Sequence, residues 1–132
     1  DPNIQLSITK EASYDDYKSD DFEVIENNGT KTKKIAGKNC PMKIFSEGIE
    51  INSYEITEKN KLNLQLQNDS VYSYFILDGK GSINNDKIEK GDFFIVSDSE
   101  NLIINTNSKT KIFEIKSPQR PSYSTYSERF MR

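Results

Sequence analysis

Apolar and polar residues alternate along the middle of the chain in the way that β-strands require. Leu62, Leu64 and Leu66 are each followed by an asparagine or a glutamine. A period of two places successive side chains on opposite faces, so this segment is predicted to be a strand with one buried face. Residues 72–78 and 92–97 are further strand runs, because they are rich in aromatic and branched side chains.

Turn signals separate these runs at short intervals. Residues 78–81 have the sequence Asp-Gly-Lys-Gly and end the first run, and Gly91 allows the chain to bend before the second. Between them, a turn at residues 84–86 separates two short strand segments. No helical period interrupts this part of the chain, so we expect short strands that fold back on one another.

Similar patterns on both sides add strands to this central region. Further strands are predicted at residues 22–25, 33–36, 43–45, 49–57 and 112–115. The sequence Asn-Asn-Gly at residues 27–29 predicts a hairpin between the first two. Apolar residues change parity between Ile51 and Tyr54, which predicts a β-bulge or a strand that passes between two sheets. The pattern as a whole predicts an all-β chain.

Length and composition narrow the function classes. The chain has 132 residues, enough for one domain with one core. Its net charge is −3 and its basic residues are scattered, so a nucleic-acid partner is not expected. The single cysteine, Cys40, excludes an internal disulfide and is consistent with a reducing compartment. No apolar run reaches the length of a membrane span, and the N-terminus has no leader pattern, so we expect a cytoplasmic protein.

The central region resembles the core of the cupin superfamily. The resemblance rests on a strand that ends in Asp-Gly-Lys-Gly at residues 78–81, a short hairpin, and Lys-Gly-Asp followed by hydrophobics at residues 90–96. It covers residues 49–116, about half of the chain. Cupins are small β-barrels of jelly-roll type, also described as double-stranded β-helices. The resemblance therefore implies a cupin-like jelly-roll barrel.

The metal-binding residues of cupins are missing from the corresponding positions. Counting from the glycines at 79 and 91 places Tyr72 at the family's glutamate, Leu66 and Asn68 at its paired histidines, and Leu102 at its third histidine. A longer spacing would instead place Gln65 and Gln67 at the pair. The chain has no histidine, and these side chains cannot replace imidazole and carboxylate ligands. We therefore expect no metal and no other cofactor.

The residues at these positions suggest two interpretations of the barrel interior. The leucine alternation selects the shorter spacing, so the residues expected to face inward are Leu66, Asn68, Tyr72, Tyr74 and Leu102. In one interpretation they simply fill the barrel, as is normal for small barrels. In the other they line a cleft in which a small ligand stacks on the rings and is oriented by a few polar groups. The sequence leaves both open.

The two ends of the chain differ in composition from the predicted barrel. Residues 1–21 are predicted to be a lead-in, with an edge strand at residues 4–8 and a solvated acidic loop. Residues 22–117 are the predicted barrel, and residues 118–132 are a C-terminal arm or short helix. An aromatic-bearing tail can cover an exposed sheet edge or cross to a partner. We therefore predict a homodimer with Tyr123, Tyr126 and Phe130 as apolar anchors at the interface.

Two classes of function follow from these observations. The first is a non-catalytic, metal-free cupin-like domain that binds a small molecule, for example a carbohydrate, or serves as an accessory or dimerisation module. The chain is similar in style to the C-terminal barrel of type I mannose-6-phosphate isomerases, which also lacks metal ligands. The alternative is a metal-independent sugar or nucleotide-sugar isomerase or epimerase, in which Glu55, Asp78 or Glu114 would act as the base. The sensor barrel of an arabinose-responsive regulator would fit only a fragment of a longer protein.

Overall fold

The structure, a computed structural model, describes residues 21–38, 40, 42 and 47–119. These residues form ten strands: β1 (Val24–Asn27), β2 (Thr30–Ala36), β3 (Glu50–Ile56), β4 (Lys61–Gln65), β5 (Ser70–Asp78), β6 (Lys80–Ile83), β7 (Asp86–Glu89), β8 (Phe93–Ser97), β9 (Asn101–Thr106) and β10 (Thr110–Pro118). The all-β prediction is therefore confirmed. None of the described residues belongs to a helix that is long and apolar enough to cross a membrane.

The strands form two antiparallel sheets that face each other as a jelly-roll barrel. The order is β1-β2-β3-β10-β5-β8 in the six-stranded sheet and β4-β9-β6-β7 in the four-stranded sheet. Consecutive strands such as β3 and β4 lie in different sheets, so the chain crosses repeatedly between the two walls of the barrel. Residues that face inward from both sheets make up the core.

Two hairpins confirm the turn predictions. The turn between β1 and β2 has positive φ angles at Asn28 (49°) and Gly29 (81°), and the turn between β6 and β7 has them at Asn84 (46°) and Asn85 (73°). Positive φ at both central residues gives the twist that a two-residue hairpin needs, and asparagine and glycine tolerate it best. The strand predicted at residues 22–25 begins two residues later than expected, at Val24. The strand predicted at residues 43–45 lies outside the described residues.

The predicted irregularity near Ile51 is present, but its extra residue lies in the neighbouring strand. The register of β2 against β3 shifts between Lys34 and Ala36, which pair with Asn52 and Ile51, so Ile35 is the unpaired residue. A second shift occurs where Lys111 and Ile112 face Asp78 and Ile76 across β5. Bulges of this kind increase the local twist and help a sheet to curve into a barrel.

Burial confirms which leucines of the four-stranded sheet face the core. Leu66 is buried, Leu62 and Leu64 are half-buried, and the polar residues between them are exposed. Leu102 of β9 is also buried, as expected, and Ile104 of the same strand is buried with it. They pack in one cluster with inward residues of the six-stranded sheet, including Ile56, Ile76 and Ile112. Each of these three isoleucines is at most 2% exposed, so this end of the barrel is filled by side chains.

Candidate functional site: a buried carboxylate on the inner face of the barrel

Three neighbouring strands of the six-stranded sheet bring polar residues together inside the barrel. Asn52 of β3 pairs with Glu114 of β10, and Glu114 pairs on its other side with Tyr74 of β5. Residues that pair directly across antiparallel strands point to the same face. Tyr54, two positions after Asn52, shares this face because side chains alternate along a strand. We call these four residues the carboxylate cluster.

The carboxylate of Glu114 is the centre of this cluster. One of its oxygens, Oε1, accepts hydrogen bonds from Asn52 Nδ2 at 3.0 Å and from the Tyr54 hydroxyl at 2.9 Å. The other, Oε2, accepts one from the Tyr74 hydroxyl at 2.7 Å. Glu114 is 4% exposed, Tyr54 is 7% exposed and Tyr74 is fully buried. The charge is thus held in the barrel by three neutral donors, with no ion pair to Glu114 among the described residues.

The electrostatics of the cluster keep both phenols protonated. Burial raises the pKa of Tyr54 and of Tyr74 far above the ordinary value, and the adjacent Glu114 carboxylate raises both further. A second negative charge beside Glu114 would be unfavourable, because charges repel strongly where water is excluded. The two hydroxyls therefore stay hydrogen-bond donors at all pH values at which the protein is ordinarily studied.

Aromatic rings extend from the carboxylate cluster across the sheet. The Tyr74 ring stacks on Phe94 of β8, with 5.1 Å between ring centroids. The centroid of the Tyr72 ring lies 6.4 Å from that of Tyr74, with nearly parallel planes. Such offset arrangements are favourable for aromatic pairs. The inner face therefore combines one charged group with a row of flat apolar surfaces.

The polarity of the inner face increases along the strands. At one end, Tyr54 pairs through Ile112 with Ile76, and the interior there is apolar. One row further lie Asn52, Glu114 and Tyr74, which belong to the carboxylate cluster. The next row is Glu50, Lys116 and Tyr72, and we call this end of the barrel the mouth. Glu50 is exposed there, so the mouth is where the inner face meets solvent.

Lys116, which is half-buried, and Tyr72, which is buried, are polar residues of the mouth. The ammonium group of Lys116 lies 3.6 Å from a carboxylate oxygen of Glu50, and the two side chains are 15% and 48% exposed. The hydroxyl of Tyr72 accepts a hydrogen bond from the backbone N–H of Gln67 at 2.9 Å. This hydrogen bond connects the segment after β4 of the four-stranded sheet to β5 of the six-stranded sheet at the mouth.

Four of the five residues predicted to line the interior lie there. Leu66, Tyr72, Tyr74 and Leu102 are at most 8% exposed and belong to one core cluster. Leu102 and Phe94 also line a groove of 360 Å³ that opens between β7 and β8. That these residues contact a ligand stays a prediction.

The inward direction predicted for Asn68 is wrong. The leucine alternation that supported it ends with β4 at Gln65. Asn68 lies in the turn that follows, where the N–H of Ser70 donates to the carbonyl of Gln67, and its side chain is exposed. A turn breaks the period of two, so the parity of β4 cannot be carried across it.

Sequence reasoning missed Asn52 and Tyr54 and considered Glu114 only as one of three possible bases. The other two candidates are surface residues: Asp78 is exposed, and Glu55 forms an ion pair of 3.2 Å with Lys111, in which the two side chains are 37% and 48% exposed. The usable signal was parity, because Glu114 follows the apolar Ile112 by two positions in a strand. A charged residue at an inward position is unusual, since such residues are seldom fully buried without partners.

The donor set of the site does not match a metal centre. Within the described part of the chain, no three histidine, cysteine, aspartate or glutamate side chains converge in the way that a metal ion needs. The carboxylate cluster offers one carboxylate and three neutral groups that already donate to it. Transition metals in proteins are normally held by several imidazole, thiolate or carboxylate ligands.

Comparison with known proteins identifies the fold. No family model and no curated protein matches the chain. Among solved structures, quercetin 2,3-dioxygenase from Acinetobacter baumannii is 18% identical with a TM-score of 0.68, and the match covers 84% of this chain and 41% of that one. For ectoine synthase from P. lautus the values are 15%, 0.58, 72% and 68%. For an RmlC-like cupin from Shewanella frigidimarina they are 12%, 0.62, 82% and 94%. Structural likeness at such low identity establishes the fold and leaves activity open, and the fold of this chain is the RmlC-like cupin fold.

Proposed function

We propose that this chain is a metal-free cupin-like domain that binds a small hydroxylated molecule, such as a carbohydrate, inside the barrel. The observation that carries the proposal is the carboxylate of Glu114, which is 4% exposed and yet accepts three side-chain hydrogen bonds. A cluster of one charged acceptor and oriented polar groups among aromatic rings is typical of a small-molecule site.

Packing alone does not require this carboxylate. Removing a charge from water costs several kcal/mol, and the partners of a buried charge recover that cost only when the geometry is favourable. One row deeper, the same strand fills the same face with Ile112, which is fully buried. Apolar residues at position 114 and at the positions of its donors would fill the same space without burying a charge. The charge at this position therefore points to a ligand that has donors to offer.

The remaining hydrogen-bonding capacity indicates the chemical class of the ligand. Glu114 Oε2 accepts one bond from the described residues, whereas a carboxylate oxygen can accept two. The available group is thus an acceptor, which suits a hydroxyl donor on the ligand. The neighbouring rings of Tyr72, Tyr74 and Phe94 suit the apolar C–H faces of a sugar. The partly exposed side chain of Asn52 places the outer edge of the cluster within reach of solvent.

The proposal is tested by a binding screen in which the key carboxylate is altered. Thermal shift and NMR titration with monosaccharides, polyols and their acidic or phosphorylated derivatives should reveal a ligand that stabilises the chain. The Glu114→Gln variant should lose at least tenfold in affinity for that ligand. Glu55→Gln is the matched control, because its carboxylate is paired with Lys111 and partly exposed. Equal affinity in Glu114→Gln and the unmodified chain would show that the cluster is structural.

A metal-independent sugar isomerase or epimerase is the second candidate, and one observation favours it. Of the three carboxylates considered as a base, Glu114 is buried and contacts two phenols. A buried carboxylate is a reasonable general base, and the adjacent phenol would stabilise a developing oxyanion by donating a hydrogen bond to it. Incubation with sugars and nucleotide sugars in deuterated water would separate the candidates. Exchange at a ring carbon that is lost in Tyr74→Phe would support the enzyme, and binding without exchange would support the binding domain.

A further inference from the structure

Lys116 occupies an unusual place for a lysine. It pairs with Glu50 on one side and Tyr72 on the other, on the same inner face as Glu114. Its side chain is only 15% exposed. Lysine is rarely buried to this extent, because its ammonium group is strongly hydrated.

The carboxylate of Glu50 is only a weak partner for the ammonium group of Lys116. Its ammonium nitrogen lies 3.6 Å from the nearest carboxylate oxygen of Glu50, which is beyond the usual range of a direct hydrogen bond. The Glu50 side chain is 48% exposed, so water screens the pair and its contribution to stability is small. An ammonium group has three donors, and none of them has a hydrogen-bond acceptor among the described residues.

Tyr72 places a second unused donor beside Lys116. Its hydroxyl oxygen accepts the backbone N–H of Gln67, and within residues 47–119 its own O–H donates to no other group. Residues that pair directly across antiparallel strands have Cβ atoms about 5 Å apart. The mouth of the barrel therefore carries, on two directly paired residues, an ammonium group and a phenol hydroxyl whose donors have no acceptor within hydrogen-bond distance among the described residues.

We propose that Lys116 and Tyr72 form an anion subsite that holds a carboxylate or phosphate group of the ligand at the mouth. This inference rests on the proposed function and adds the charge of the ligand to it. The ligand oxygens displace the Glu50 carboxylate from Lys116 and accept a hydrogen bond from the Tyr72 hydroxyl. The hydroxyl groups of the same ligand donate to Glu114 one row deeper. Successive inward positions on a strand are about 7 Å apart, a length that a hydroxy acid of about six carbons spans.

The two rows together fix the orientation of such a ligand. Glu114 repels an anionic group, whereas Lys116 attracts it. The anionic end of the ligand therefore stays at the mouth, and its hydroxyl groups point toward Glu114. Discrimination of this kind uses an unfavourable contact as well as a favourable one. A neutral polyol is not oriented in this way, and it gains no charge interaction with Lys116.

Calorimetric titration with pairs of probes that differ only in charge tests the inference. D-gluconate is compared with D-glucitol, and glycerol 3-phosphate with glycerol, so that the two pairs distinguish a carboxylate from a phosphate. The anionic member of at least one pair should bind at least tenfold more tightly, and added salt should reduce that difference. Lys116→Gln should abolish the preference, whereas Lys111→Gln, whose lysine pairs with Glu55 on the exposed face, should retain it.

A second variant keeps the test decisive if Lys116→Gln folds poorly. Glu50→Gln removes the carboxylate that competes for Lys116, so the affinity for the anionic probe should rise severalfold. A merely structural ion pair would give no such gain. If the neutral and anionic probes bind equally well and binding depends on Glu114, the anion subsite is wrong and the proposed function stands. If no probe and no molecule of the wider screen binds in a Glu114-dependent manner, both are wrong.

Discussion

At the scale of single residues, Glu114 shows how environment decides what a side chain does. Glu55 and Glu114 are both glutamates on inner strands of the six-stranded sheet, but one is paired with Lys111 near solvent and the other is enclosed by phenols. Their opposite parity along the strands accounts for the difference. Glu55 therefore contributes to solubility, and Glu114 supplies the only charge within the carboxylate cluster.

The hydrogen bonds to Glu114 predict an ordering of two phenylalanine variants. Tyr74→Phe leaves Oε2 without a described donor, whereas Tyr54→Phe leaves Oε1 with its bond from Asn52. An unsatisfied buried acceptor costs about 1–3 kcal/mol, so Tyr74→Phe should lower the free energy of unfolding more than Tyr54→Phe. Urea denaturation of both variants measures this. The reverse order would mean that the two oxygens are not held as described.

The raised pKa values predict how stability falls at high pH. Folding keeps Tyr54 and Tyr74 protonated, whereas in the unfolded chain they ionise near pH 10. Their contribution is complete below pH 10 and is lost above it, because there the unfolded state releases protons that the folded state retains. Each tyrosine should steepen the decline by about 1.4 kcal/mol per pH unit. Urea denaturation between pH 9 and 11 should show a shallower decline for Tyr54→Phe, and parallel curves would contradict this assignment.

At the scale of elements, close packing of strands decides which positions accept a side chain. Gly81 of β6 pairs with Thr106 of β9, and a Cβ atom added to Gly81 would overlap the carbonyl oxygen of Asn105. The glycine is therefore needed for the approach of two strands. Gly91, in the turn before β8, has a φ of 93° and nothing within 4 Å of an added Cβ. Its glycine serves backbone conformation instead.

This difference predicts unequal costs for two alanine variants. Gly81→Ala forces the backbone of β6 away from β9, and overpacking of this kind typically costs 1–3 kcal/mol, occasionally more. Gly91→Ala meets no neighbour and carries only the strain of a left-handed backbone, about 1 kcal/mol. Midpoints of chemical denaturation should rank the unmodified chain above Gly91→Ala and Gly91→Ala above Gly81→Ala. A Gly81→Ala variant with an unchanged denaturation midpoint would contradict the close approach of β6 and β9 at this position.

At the scale of the whole molecule, the two sheets enclose an interior that is apolar at one end and charged at the other. The apolar end supplies stability through buried isoleucines, and the mouth supplies the polar groups that we assign to a ligand. This division separates the residues that stabilise the fold from those of the proposed site. The same fold in its neighbours supports named enzymes such as a dioxygenase and an ectoine synthase.

The donor set predicts that stability is independent of metal. Leu66, Tyr72 and Leu102 occupy positions at which the cupin resemblance would place ligands, and two leucines and one tyrosine do not supply the set of imidazole and carboxylate ligands that such a site needs. Incubation with EDTA should leave the melting temperature unchanged. A shift of several degrees that is reversed by one added metal would contradict the prediction.

Association into a homodimer stays a prediction from the sequence. The aromatic residues assigned to the interface, Tyr123, Tyr126 and Phe130, lie outside the described residues. Light scattering should give twice the monomer mass for the unmodified chain and the monomer mass for a version that ends at Ser117. A monomeric unmodified chain would exclude the dimer, and a dimer that survives truncation would exclude the tail from its interface.

The sequence by itself determined the strands, the turns and the fold class, because these depend on neighbouring residues. Alternation identified β4 and the leucines that face inward from it, and Asn28-Gly29 and Asn84-Asn85 form the turns that their tolerance of positive φ predicts. The prediction for Asn68 was wrong for an equally local reason. The turn that contains Asn68 ended the alternation from which its inward direction had been inferred.

Only the tertiary structure decided which residues meet inside the barrel. Asn52, Tyr54 and Tyr74 reach Glu114 across separations of 62, 60 and 40 residues. Contacts over such distances depend on the order of strands in the sheet and on register, and register is shifted here by the unpaired Ile35 and by the bulge opposite Lys111. A slip of one residue would turn Glu114 outward, because successive side chains of a strand point to opposite faces. Parity could suggest that Glu114 faces inward, but only the pairing of β3, β10 and β5 could supply its three donors.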